Sequence, residues 1–153
     1  NPENPDEVQV SKASDVLEAR AVANSTFTNL FMGLGAVALL VGGIGIANVM
    51  VIAVIERRSE IGLRRAIGAT RFHIATQFIT ESLLLSCIGG ATGIVVGILV
   101  TAIYAITQNW HIVIPQSEIL IGLLASILIG GAAGFYPALR AANMSPTEAL
   151  RAN

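Results

Sequence analysis

The side chains that could do chemistry in this chain are few and poorly spaced for it. Cys87 is the only cysteine and lies in an apolar run, so neither a disulfide framework nor a cysteine metal cluster is available. His73 and His111 fall at opposite ends of a long apolar stretch and cannot share a metal. Gly42-Gly43-Ile44-Gly45-Ile46-Ala47-Asn48 is rich in glycine, but no strand precedes it and no Lys-Ser/Thr follows, which excludes a nucleotide loop. No Ser/His or Asp/Asp pairing stands out for proteolysis. The chain therefore reads as a non-enzyme. Two polar residues within apolar runs remain: Asn48, expected to hydrogen-bond between helices, and Glu81, expected to pair with an arginine of the charged stretch 56–71 or to reach headgroup water rather than relay protons.

The charges gather in one place. Between Arg20 and Glu56, and again between Glu81 and Glu118, there is no Asp, Glu, Lys or Arg. Between those runs stands Glu56-Arg-Arg-Ser-Glu-Ile-Gly-Leu-Arg-Arg-Ala-Ile-Gly-Ala-Thr-Arg71. A basic knot between two long uncharged segments is the pattern of a short loop on the cytoplasmic face of a membrane protein. Within it, Ile61, Ala66 and Ile67 are expected to share one face of a short helix, with Arg57, Glu60, Arg64 and Arg71 elsewhere. Nucleic acid is excluded as the partner, because no second basic patch or stacking aromatic accompanies the knot. By itself the pattern fits either a protein-docking helix or a helix binding anionic lipid.

The elements that must position this knot follow from composition. The chain is 54% hydrophobic and only 12% charged, about half the charge of a soluble domain, with a mean hydropathy of +0.71. Its fold class is all-α integral membrane, with three spans at about 27–55, 74–106 and 118–136. The first exceeds the ~20 residues needed to cross a bilayer, and residues 14–29 are expected to extend it as a helix outside. Residues 1–26 are acidic, with five acids against Lys12 and Arg20, so the positive-inside rule places them outside and residues 137–153 in the cytoplasm. Gly68 suits a helix end and Thr70 a helix start, which marks the turn after the knot. Pro137 is expected to end the third span, and Ser145-Pro146-Thr147-Glu148 forms a capping box for a short tail helix. The first residues lack the features of a signal peptide, and the chain is expected to be the C-terminal part of a longer one.

Glycines recur at four-residue spacing as Gly89, Gly93 and Gly97 on the second span and as Gly130 and Gly134 on the third. Such spacing lets helix backbones approach closely in lipid. Packing within one bundle is the expected use of both sets, with a dimer seam as the alternative.

Residues 39–90 closely resemble the permease domain of MacB/FtsX-type ABC transporters. The resemblance rests on Glu56, Arg57, Glu60, Ile61, Gly62, Arg64, Ala66, Gly68 and Ala69, and on the tail YPALRAANMSPTEALR at 136–151. It implies that these are the last three of four spans, with residues 1–26 the end of an extracytoplasmic domain and stalk. It implies a coupling helix within 56–69, docked on an ABC ATPase that carries ATP and Mg while this chain holds no cofactor. Ile61 and Gly62 would then pack on the ATPase, and Glu56, Arg57, Glu60, Arg64 and Arg65 would make polar contacts. The resemblance further implies a homodimer, or a heterodimer of related permeases, in the bacterial inner membrane, with an extracytoplasmic adaptor or exit duct. The function implied is export by mechanotransmission; the alternative is FtsX-like regulation of cell-wall hydrolases.

Overall fold

A computed structural model describes residues 13–111 and 114–144, and among these all regular structure is α-helical. The helices are α1 (Ala13–Glu56), α2 (Arg58–Ala66), α3 (Arg71–Thr107) and α4 (Gln116–Ala142). Three of them, α1, α3 and α4, are long and apolar enough to cross a membrane. The reason for such long, unbroken helices is backbone satisfaction. In hydrocarbon every N–H and C=O must find its partner inside the segment, and a helix achieves that alone.

The first part of α1, up to Ala38, belongs to one compact unit; the rest, from Leu39, belongs to a second with α2, α3 and α4. Among the described residues of the first unit the side chains from Asp15 to Ala38 are exposed, including Phe27, Leu30, Phe31, Met32 and Leu34. Its hydroxyls turn back on their own helix: Ser25 and Thr26 donate to the Val22 carbonyl and Thr28 donates to that of Asn24. This satisfies polar groups without a neighbour.

The second unit is organised by α3 and α4, which run antiparallel along a seam of small residues. A methyl group on Gly134 would overlap the Ser82 hydroxyl, one on Gly130 would overlap that of Ser86, and one on Gly90 would overlap that of Ser126. Each step of four residues forward on α3 is matched by four back on α4, so one serine faces one glycine at each level. Ser82, Ser86 and Ser126 donate to carbonyls of their own helices, at 2.8, 2.6 and 2.8 Å. The seam is therefore held by close backbone approach, not by bonds across it. The later part of α1 packs on α4, where a methyl at Gly43 would lie 2.7 Å from Ile129 Cγ2 and one at Gly130 3.4 Å from Ile46 Cδ1.

Beyond the small seam, larger side chains close the end of the bundle that carries α2. Met50 and Val54 of α1, Ile61 of α2, Ile74 and Phe78 of α3, and Ala138, Ala141 and Ala142 of α4 form one buried cluster.

Two expectations need correction. Pro137 does not end the last helix: α4 continues to Ala142 with Pro137 inside it and buried. Proline deprives Ala133 of a backbone donor and costs ~3 kcal/mol in a helix interior. Burial of the ring and of the next turn in the core offsets that cost. The second correction concerns Gly89, Gly93 and Gly97. A methyl group on any of them would meet nothing within 4 Å, so they make no close packing among the described residues. Gly90, one residue along and therefore on another face, is the α3 glycine in the seam. The capping box at 145–148 and the tail helix lie outside the described residues.

The seam makes a stability prediction. Gly134→Leu forces a large side chain onto Ser82 and is expected to cost at least 1–3 kcal/mol. Gly97→Leu is expected to leave the stability in detergent within ~0.5 kcal/mol of the parent. Equal losses from the two variants, read by thermal unfolding, would refute the seam.

Candidate functional site

The charged knot becomes a helix held between two longer ones. Only Arg57 separates α1 from α2, with φ −94° and ψ 12°, in the sparsely used bridge region. Backbone bonds span the break: the Arg57 N–H donates to the Ala53 carbonyl at 3.1 Å, and the Ile61 N–H donates to that of Arg57 at 3.0 Å. The other end of α2 is closed by Gly68 at φ +109°. There the Ala69 N–H donates to the Arg64 carbonyl at 2.9 Å and the Gly68 N–H to that of Arg65 at 3.3 Å. This paired arrangement needs a left-handed residue, which glycine supplies without a Cβ penalty. Thr70 then starts α3, its hydroxyl accepting from the His73 N–H at 3.3 Å. The turn lies where the sequence places it.

Side chains tie α2 and its first corner to α3, and α3 to the end of α4. Arg57 reaches the Glu81 carboxylate on α3 at 3.3 Å, the pairing expected for Glu81. Arg64 donates to Glu60 one turn back and to the Gln77 side chain on α3 at 2.6 Å. Arg71 donates to the Asn143 side chain, just past α4, at 3.2 Å. These groups are partly solvated, so each ion pair contributes only about 0–1 kcal/mol. Their role is to set position more than to stabilise. Glu56 is exposed at the end of α1, while Arg65 is half-buried with its Nε lacking a hydrogen-bond partner among the described residues.

The apolar residues of α2 divide differently from the sequence expectation. Ile61 is 2% exposed and Gly62 is buried with it. Both are enclosed by this chain and are not open to a partner. Ala66 and Ile67 do not share their face: five residues is about 1.4 helical turns, which carries Ala66 well round from Ile61. Ile67 is 79% exposed, Leu63 57% and Phe72, one residue into α3, 72%. A helical wheel started from Ile61 would have found this split. The exposed apolar group at the α2–α3 turn, flanked by arginines, is the feature that sequence reasoning missed.

The family model described as FtsX-like permease C-terminal matches residues 32–146, which includes α2 and all of the bundle around it. The chain belongs to the FtsX-like permease family. This FtsX-like permease domain is 38% identical over 146 residues to the macrolide export ATP-binding/permease protein MacB of Bdellovibrio bacteriovorus, covering 95% of the chain and 22% of the relative. It is 38% identical over 146 residues to the uncharacterized ABC transporter permease YknZ of Bacillus subtilis, covering 95% of the chain and 37% of that relative. The MacB protein of Campylobacter jejuni is 40% identical over 139 residues, or 90% of the chain and 22% of the relative. The domain thus spans well under half the length of each relative. With three apolar helices of spanning length, it is part of a multi-pass membrane protein.

The division of α2 into a buried and an open side can be tested by truncation. Ile61→Ala is expected to destabilise the fold by about 2–5 kcal/mol. Ile67→Ala is expected to change stability by no more than ~0.5 kcal/mol. Thermal unfolding in detergent reads both, and an Ile67 effect as large as that of Ile61 would refute the assignment.

Proposed function

We propose that this domain is the transmembrane part of an ABC transporter, in which α2 is the coupling helix that docks on a cytoplasmic ATPase. The observation that carries the reading is the exposed apolar group Leu63, Ile67 and Phe72 at the end of a helix otherwise clamped into the bundle. An apolar group left open beside arginines at a polar helix turn suits a protein partner with an apolar pocket and an acidic rim. The similarity to the ATP-binding/permease proteins and to YknZ supports an ABC ATPase as that partner.

On this reading Leu63 and Ile67 enter the ATPase, and Arg65 and Arg71 meet its acidic rim. Glu56, Arg57, Glu60 and Arg64 brace α2, with Ile61 and Gly62 as its root in the core. ATP and Mg bind on the ATPase, and its hydrolysis cycle moves α2. The core cluster passes that movement to α1, α3 and α4. Two permease copies work together, as a homodimer or as a pair of related chains, in the bacterial inner membrane. The α2 end faces the cytoplasm, because five arginines lie between residues 57 and 71, and the first part of α1 continues outward as a stalk. The work done outside is export, through an extracytoplasmic adaptor or exit duct. The names of the macrolide export relatives favour this over regulation of cell-wall hydrolases.

Coupling can be read directly. In the full-length protein with Cys87→Ser, Ile67→Cys is expected to crosslink to the ATPase in a nucleotide-sensitive way, and Ile61→Cys is not. Leu63→Ser with Ile67→Ser is expected to lower permease-dependent ATPase stimulation at least tenfold while the fold stays intact. Unchanged stimulation together with no crosslink at Leu63, Ile67 or Phe72 would overturn the docking assignment.

A further inference from the structure

Pro137 stands buried inside α4, and the helix packs on different partners before and after it. Before it, Gly130 and Gly134 face Ser86 and Ser82 of α3 so closely that neither could carry a methyl group. After it, Ala138, Ala141 and Ala142 are buried in the cluster that receives Ile61 of α2. The first group holds α4 to α3. The second forms one wall of the socket in which α2 is rooted.

A weakened stretch of backbone joins the two groups. Pro137 has no N–H to donate, so the Ala133 carbonyl lacks the bond that an unbroken helix would supply. Sharp bends in helices concentrate at such places. The other wall of the socket is built differently. Ile74 and Phe78 belong to α3, which runs from Arg71 to Thr107 without a proline, and Phe78 is about one turn from Ser82 in the seam. That wall is continuous with the seam. The last turn of α4 is meanwhile a closed piece, with the Asn143 N–H donating to the Leu139 carbonyl at 3.1 Å and that of Met144 to Ala141 at 3.3 Å. Its side-chain tie to α3 is the exposed Arg71–Asn143 bond at 3.2 Å, which water can replace.

We propose that Pro137 is a hinge, on which residues 138–142 move with α2 while the α3–α4 seam stays closed. This rests on the reading above, in which an ATPase moves α2, and names the joint that lets it do so. With no joint in α4, a displaced Ile61 would leave a void in the cluster or draw α4 off α3, and close-packed interiors resist both.

The test uses the full-length protein with its ATPase and with Cys87→Ser. Spin labels on Leu124→Cys and Arg140→Cys, both exposed positions, stand on either side of Pro137, about 24 Å apart along the helix. Their separation is expected to change between the nucleotide-free and ATP-bound states. Labels on Leu120→Cys and Phe135→Cys, both before the proline and both exposed, are expected to keep theirs. Labelled copies are diluted with unlabelled ones so that each distance lies within one chain. Pro137→Ala restores the missing donor and is expected to abolish the change and to lower ATPase stimulation about fivefold or more. Pro137→Gly restores the donor but keeps a pliable backbone, so it is expected to melt below Pro137→Ala yet retain more stimulation. The proposal is overturned if the 124–140 distance is the same in both states, if the control pair changes as much, or if Pro137→Ala keeps full stimulation. Stimulation that follows the thermal midpoints of the two variants, with Ala above Gly, also overturns it, since a residue that only packs the core would behave so. A nucleotide-sensitive crosslink at Ile67 with a fixed 124–140 distance sinks the hinge alone and leaves the coupling reading standing.

Discussion

The close approach of α3 to α4 is the constraint on which the rest of the bundle depends. Once Ser82, Ser86 and Gly90 face Gly134, Gly130 and Ser126, one side of each helix is committed along much of its length. The remaining sides must serve lipid, α1 or a polar end. The later part of α1 takes the groove beside Ile129 and Gly130. Space for larger side chains opens only past the seam, where Phe78, Ile74 and the last alanines of α4 begin. Ile61 enters there, and α2 is thereby rooted in the bundle instead of lying loose on its surface.

That rooting changes how the charged knot works. A surface helix bearing arginines would be held by screened ion pairs worth little each. Burying one isoleucine contributes roughly 1.5–3 kcal/mol, more than the Arg57–Glu81 pair supplies. The charges therefore set the helix's register, and Ile61 keeps it in place. The outward apolar group at Leu63, Ile67 and Phe72 is left free of any structural duty within the described chain.

Much of this was legible before the structure. Charge distribution alone separates the three apolar helices from the knot. Gly68 and Thr70 mark the turn because each has one local physical job, a left-handed residue and a cap. What misled was rotation about helix axes. Gly89, Gly93 and Gly97 have a packing motif's spacing but do not enter the α3–α4 seam, where Ser82, Ser86 and Gly90 hold the α3 positions. Ile61 and Ile67 are alike in type and opposite in fate, since one lies toward the core and the other away from it. Pro137 is a helix breaker by local rules, overridden here by tertiary burial. Periodicity along a sequence gives the spacing of a face but not the direction in which it points.

The single residue between α1 and α2 sets the quality of the joint there. Arg57 leaves helical geometry, yet its N–H donates to the Ala53 carbonyl and its own carbonyl accepts from the Ile61 N–H, and its side chain is tied to Glu81. A loop at this place would absorb a twist of the adjoining helix by relaxing its own torsions. A corner bonded on both sides and anchored by its own guanidinium has little slack to give up. The joint between the neighbouring turns of α1 and α2 is therefore that of a bent rod and not of a rope.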